Sequence, residues 1–202
     1  MSAELFFIYD THCPWSYAAT PLVNQIAEHF PEIKIHLWHS ARYEGDESIN
    51  LMTIKTVIEE STVNFSESYQ KQVTTQPIDS TMASNVMAWI EQKNHRNALP
   101  LLNALQKAHF QTANNFIHRD DFSSLMNEFK LSPANKIFTL DKFTKEAEIT
   151  LNDIFELQDI IGTKGIPALL LAVNDNLLLL NHHLYLQDPK SILDAVSIEL
   201  NR

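Results

Sequence analysis

Glycine is scarce in this chain. The 202 residues hold only Gly45, Gly162 and Gly165, which cannot supply G-x-G-x-x-G or G-x-x-x-x-G-K, so both phosphate-cradling fingerprints are excluded. Cysteine is scarcer still. Cys13 is the only one, which rules out an internal disulfide and any multi-cysteine zinc site. Basic residues are outnumbered, 15 Lys and Arg against 25 Asp and Glu, for a formal charge of −10. A nucleic-acid partner needs a basic face to displace counterions, so none is expected. No apolar run approaches the roughly 18 residues that span a bilayer, and no membrane partner is expected. No Lys or Arg occurs before Lys34, where a secretory signal would carry its positive region. The expectation is a cytoplasmic protein. With 45% hydrophobic and 20% charged residues, the composition is that of a folded chain rather than a disordered one.

What is present is ordered in blocks. Leu5-Phe6-Phe7-Ile8-Tyr9 is short, apolar and aromatic, and predicts a buried strand. After the turn Thr11-His12-Cys13-Pro14, residues 15–30 place Ala18, Leu22, Ile26 and Phe30 on one helical face. Pro14 suits a first helical turn, and Pro21 falls inside the helix. Ile33 to His39 alternates as a second strand, so the run predicts a parallel strand–helix–strand crossover. From about Asp46 to Ile161, helical spacing takes over in residues 80–92, 101–110 and 122–129. Pro77, Pro100 and Pro133 are read as breaks between these stretches. Strand character returns in Ala168–Val173. Asn174-Asp175-Asn176 signals a turn into a hairpin strand over Leu177–Leu180. Asp188-Pro189 opens a last helix, with Ile192, Leu193, Val196 and Leu200 inward.

Cys13 lies between the first strand and the first helix. A thiol at a helix N-terminus faces unpaired backbone N–H groups and the positive end of the dipole. Both favour the thiolate and lower its pKa below the usual value of about 8.5. The position therefore predicts an accessible, acidic thiol, against the plainer alternative of a small buried residue. Asp10-Thr11-His12-Cys13-Pro14-Trp15-Ser16-Tyr17 resembles the active-site turn of the DsbA-like family of the thioredoxin superfamily. Gly162-Thr163-Lys164-Gly165-Ile166-Pro167-Ala168-Leu169 resembles its second hallmark, a loop with a cis proline that leads into a strand. Thr75 to Thr81 and the helices after it are similar to the family's inserted helical domain. The resemblance spans nearly the whole chain. It implies an α/β thioredoxin-like fold with a large all-helical insertion, with 1–45 and 162–202 as the core and 46–161 as the insertion.

The resemblance also implies thiol–disulfide exchange at Cys13. The departure from it is Ser16, which stands where the family has a second cysteine. A paired thiol resolves the mixed disulfide formed by the first; Ser16 cannot, although its hydroxyl can hydrogen-bond the Cys13 thiolate. Cys13 and Ser16 are the candidate catalytic pair. His12, Pro14, Trp15, Ile166 and Pro167 are the candidate substrate- or glutathione-binding residues. Trp15 replaces a His that some members carry, which removes a thiolate-stabilising charge that His12 could partly restore. The resolving thiol must come from outside, most simply glutathione as a co-substrate. Glutathione or protein thiols and disulfides are thus the expected partners, with no resident cofactor and a homodimer left open. Two alternatives stand beside this reading: a kappa-like glutathione transferase or isomerase, and a non-catalytic thioredoxin-fold binding protein. Nine histidines invite a metal site, but His182 and His183 are adjacent on an expected strand end and point to opposite faces, so no metal is expected. His39 is read as a polar strand-end residue.

Overall fold

The computed structural model describes residues 3–174 and 176–201. A four-stranded mixed sheet has the order β2-β1-β5-β6, with β1 at Ala3–Tyr9, β2 at Lys34–His39, β5 at Ala168–Val173 and β6 at Asn176–Leu180. β1 pairs parallel with β2, from Glu4 opposite Lys34 to Tyr9 opposite His39, and antiparallel with β5, from Ala3 opposite Val173 to Ile8 opposite Ala168. Strands covered on both faces read as near-continuous apolar runs, which is why Leu5 to Tyr9 and Ala168 to Val173 show little alternation. β6 closes the hairpin onto β5 at the sheet edge. Asp175, in its turn, lies outside the described residues.

Period-two geometry sends Leu5, Phe7 and Tyr9 to one face, with Leu169, Leu171 and Val173. There they meet Ala18, Leu22 and Ile26 of α1 (Pro14–His29), and Ile192 and Val196 of α8 (Ile192–Leu200). The other face buries Ile8, Ala168 and Leu170 against Ile154 of α7 (Lys145–Ile161), with Phe6, Trp38 and Leu157 packed around them. Between β2 and α7 run β3 (Glu44–Glu47), α2 (Leu51–Glu60), α3 (Glu67–Val73), β4 (Ile78–Asp79), α4 (Thr81–Lys93), α5 (Ala98–Thr112) and α6 (Ser123–Glu128).

Three local expectations need correction. The inserted segment carries one sheet pairing, β3 with β4, whose register shifts between Glu44 and Glu47; strands this short leave no periodic signal. Pro100 does not break a helix. It sits in the first turn of α5, where its missing N–H has no intrahelical partner to lose. His182 and His183 are not on a strand but open a 3₁₀ turn, His182–Tyr185, so their rings lie side by side at 4.4 Å.

Gly162 ends α7 in the left-handed conformation, φ +70°, with its N–H on the Gln158 carbonyl at 2.9 Å. This stop is what turns the chain into the loop carrying Ile166 and Pro167, whose peptide bond is cis. Among the described residues no helix is long and apolar enough to cross a membrane.

Candidate functional site

The site is built where β1 hands over to α1. Cys13 is the N-cap of α1, with φ −82° and ψ 121°, and Pro14 occupies the first helical position. The Cys13 N–H reaches back to the Asp10 carbonyl at 3.2 Å, and the Tyr17 N–H binds the Cys13 carbonyl at 3.0 Å. The Ser16 oxygen accepts the Asp10 N–H at 3.2 Å, which leaves its own proton to turn toward the sulfur. The Cys13 sulfur is hydrogen-bonded by the Ser16 hydroxyl and by the backbone N–H groups of Ser16 and Trp15. Ser16 thus fills the place of a second thiol with a donor.

The expected acidity is overturned. Cys13 is 5% exposed, and burial raises its pKa above the ordinary thiol value. The Ser16 and Trp15 bonds pull it down, and the Asp10 carboxylate pushes it up, but desolvation prevails. The sequence shows the helix N-terminus but not what closes over it. That cover comes from Tyr43 and Tyr69. The Tyr43 hydroxyl is hydrogen-bonded with the Cys13 sulfur, and Tyr69 lies within electrostatic range of it. Both phenols are raised, first by burial and then by Cys13. The Tyr69 hydroxyl is buried with no hydrogen-bond partner. Nothing local in the sequence marks either tyrosine, since they lie 30 and 56 positions beyond Cys13.

The coupling between Tyr43 and the sulfur is reciprocal: a thiolate that holds the phenol proton is itself stabilised by it. Tyr43→Phe should therefore move the pH midpoint of Cys13 alkylation upward by about one unit, the equivalent of one hydrogen bond to a charged group. Iodoacetamide modification followed against pH reads this directly, and an unchanged midpoint would show that the phenol does not act on the sulfur.

Beneath the turn lies a closed polar layer. Asp10 is fully buried, with one oxygen on the His12 N–H at 2.8 Å and the other on the Arg42 N–H at 2.7 Å and the Ser80 hydroxyl at 2.6 Å. His12 Nε2 faces the Asn115 carbonyl at 3.2 Å, so it carries the proton, and Nδ1 accepts from the Thr11 hydroxyl at 2.9 Å. Thr11 also bridges to His39 Nε2 at 2.8 Å. The His12 ring packs on His109, with centroids 4.1 Å apart. Burial lowers the pKa of His12, His39 and His109, with His39 at about 4. The structure therefore turns His12 inward, to fasten the Cys13 turn to the helical segment. His39, read from sequence as a strand-end residue, proves to be part of this layer.

The other predicted binding residues, Pro14 aside, gather in one cleft. Trp15, Ile166 and Pro167 line one cleft of about 490 Å³ with Asn181, His182 and His183. The Trp15 ring meets His183 edge-on at 5.2 Å. Pro14 is buried in the first turn of α1, and neither it nor Cys13 forms part of the cleft lining.

A mixed sheet with a thiol turn after β1, a cis proline before β5 and helices inserted between them is the thioredoxin fold in its DsbA-like form. Solved structures agree over nearly the full length. The cytosolic disulfide reductase DsbM from Pseudomonas aeruginosa, solved with GSH, superposes with a TM-score of 0.81 at 17% identity, covering 98% of this chain and 100% of that one. A periplasmic thioredoxin-like protein from Salmonella enterica serovar Typhimurium gives a TM-score of 0.55 at 15% identity over 98% of this chain and 83% of that one. The catalytic domain of Proteus mirabilis ScsC gives 0.52 at 18% identity over 98% and 82%. No model of a known protein family matches the chain, and no curated protein matches it in sequence. At these identities the likeness establishes the DsbA-like thioredoxin fold.

Proposed function

We propose that the chain is a monothiol thiol–disulfide exchange enzyme that works through Cys13, with glutathione as its external thiol. The observation that carries this reading is the Cys13–Ser16 pair at the N-terminus of α1, one sulfur held by a hydroxyl where a second sulfur would resolve it. Cys13 attacks a disulfide R–S–S–R′ and forms Cys13–S–S–R, while R′ leaves as a thiol that takes the Cys13 proton. A glutathione thiolate then attacks the sulfur of R, releases Cys13 and departs as R–S–S–glutathione. The buried setting keeps the resting thiol protonated, so exchange depends on the Ser16, Trp15 and Tyr43 donors to hold the sulfur anion as it forms. The likeness to a disulfide reductase solved with GSH supports the same direction. The reading puts the chain in the cytoplasm, where glutathione supplies the reducing thiol.

Treatment with glutathione disulfide should leave one glutathione on the chain by intact mass, released by reductant and absent from Cys13→Ser. The adduct should persist, because position 16 offers no resolving thiol. A chain that stays unmodified at millimolar glutathione disulfide would defeat the reading. One observation favours a second, kappa-like reading: a raised thiol pKa under two phenols suits a site that ionises a bound glutathione better than one that ionises its own sulfur. In that case Cys13→Ser would retain glutathione conjugation or isomerisation.

A further inference from the structure

A small crevice in the helical segment borders the polar layer under Cys13. Its lining includes Tyr69 of α3, His109 of α5, Gln76 and Asn115, and its volume is about 10 Å³. That is roughly the room one water needs. His109 packs on the His12 ring, and the Asn115 carbonyl accepts from His12 Nε2. Tyr69 and His109 are each 2% exposed, and their rings meet edge-on with centroids 5.1 Å apart. The Tyr69 hydroxyl and His109 Nε2 are both buried without a hydrogen-bond partner. Two such atoms on residues that share one crevice are unfavourable unless something in it meets them. The other ring nitrogen, Nδ1, lies 2.8 Å from the Asn114 carbonyl. A carbonyl only accepts, so Nδ1 carries the proton of the neutral ring. Burial keeps the ring neutral, by lowering its pKa well below the ordinary imidazole value. Nε2 is thus left as a bare acceptor.

We infer that one ordered water in this crevice joins His109 Nε2 to the Tyr69 hydroxyl, and that His109 thereby positions the phenol proton toward the Cys13 sulfur. The sense of the chain follows from its acceptors. Nε2 can only accept, so the water gives it one proton. Tyr69 lies within electrostatic range of Cys13. As the sulfur becomes anionic, the Tyr69 proton turns toward it, and the second proton of the water turns onto the Tyr69 oxygen. No proton changes owner; the hydroxyl and the water only rotate. Every donor in the run then points one way, which strengthens each bond in it. Tyr43 already bonds the sulfur directly, so Tyr69 adds an oriented dipole rather than a second bond. His109 acts only through Tyr69 and is a positioning residue. This deepens the exchange reading and rests on it for Cys13 as the reacting thiol.

The wild-type chain gives the first test. Histidine NMR near neutral pH should find His109 uncharged and protonated at Nδ1. A high-resolution crystal structure should show one water within about 3.2 Å of both Nε2 and the Tyr69 oxygen. A ring protonated at Nε2, or no water bridging the two atoms, would overturn the inference even if every variant failed to fold. Tyr69→Phe should raise the pH midpoint of Cys13 alkylation by about half a unit, less than Tyr43→Phe because no bond to sulfur is lost. His109→Asn keeps a donor for the Asn114 carbonyl but removes the Nε2 acceptor, and should raise the midpoint similarly. His109→Gln, whose side-chain carbonyl can reach the place of Nε2, should restore part of the shift. Combined with Tyr69→Phe, His109→Asn should add nothing, because it works through the phenol. Additive shifts, or an unmoved midpoint in folded Tyr69→Phe, would overturn the inference. Treatment with glutathione disulfide separates the two claims. An adduct with an unmoved midpoint removes the positioning role alone. A moved midpoint without an adduct removes the exchange reading alone.

Discussion

Ser16→Cys is expected to convert the one-thiol turn into a dithiol turn and to confer insulin-reducing activity in the presence of dithiothreitol. Positions 13 and 16 are one helical turn apart, with the Ser16 hydroxyl already bonded to the Cys13 sulfur, so a sulfur at position 16 starts within reach of disulfide geometry. Ser16 is fully buried and its oxygen accepts the Asp10 N–H. The substitution therefore weakens one hydrogen bond, a loss of about 1 kcal/mol that a domain of this size absorbs. The new thiol resolves the mixed disulfide internally, so the glutathione adduct that persists on the wild type should become transient. Turnover of insulin should rise by about tenfold or more over the wild type, whose mixed disulfide waits for an external thiol. Cys13→Ser in either background should remove the reaction. A folded Ser16→Cys variant that keeps two free thiols after oxidation would show that the two side chains do not meet, and the proposed exchange chemistry would lose its footing.

The parts of the site legible in the sequence were those written within a few consecutive residues. Leu5 to Tyr9, the periodic face of α1 and the position of Cys13 three residues ahead of Ser16 are local patterns, and local geometry fixed what they became. The cis state of Ile166–Pro167 was reached only through the resemblance, because no local signal separates it from an ordinary loop proline. Tyr43 and Tyr69 were not legible. Their relation to Cys13 exists only after β3 pairs with β4 and α3 folds back over the turn, and neither short strand has a periodic signature. The same reason explains the error about Cys13. Sequence position supplied the helix terminus that acidifies a thiol, while the burial that opposes it came from chain far away. Asp10, Thr11, His12 and His39 were each visible, but the bonds that join them across β1 and β2 follow from strand register, which placed Tyr9 opposite His39. His182 was read on a strand because apolar residues precede it, whereas the chain leaves the sheet at Leu180.

Mild acid is expected to destabilise the protein strongly, through the histidines under the active-site turn. In the unfolded chain each imidazole takes a proton near pH 6.5. In the fold His39 resists protonation until about 4, and burial lowers His12 and His109 as well. Between those limits the unfolded state binds more protons than the native one, so stability falls as pH falls. The contribution is complete above about pH 6.5 and is lost progressively toward pH 4. For His39 alone it is on the order of 3 kcal/mol. Each ring kept neutral in the fold adds up to about 1.4 kcal/mol per pH unit to that slope, against a total stability of about 5–15 kcal/mol for a typical domain. Asp10 faces His12 and His39 and favours their charged forms, but desolvation outweighs it. Glu91, whose carboxyl is raised by burial, works in the opposite sense on acidification and offsets part of the loss. Urea midpoints measured from pH 7.5 to pH 5.0 should fall steeply, and in the folded protein the His39 ring should not titrate above pH 5, while His12 and His109 titrate below the ordinary imidazole value. His39→Gln should flatten the slope by about one proton's worth if it folds. Folded-state titration of the three rings near pH 6.5 would refute the account without any variant, because a ring that charges freely in the fold cannot lie in a layer closed by Thr11, Asp10 and Asn115.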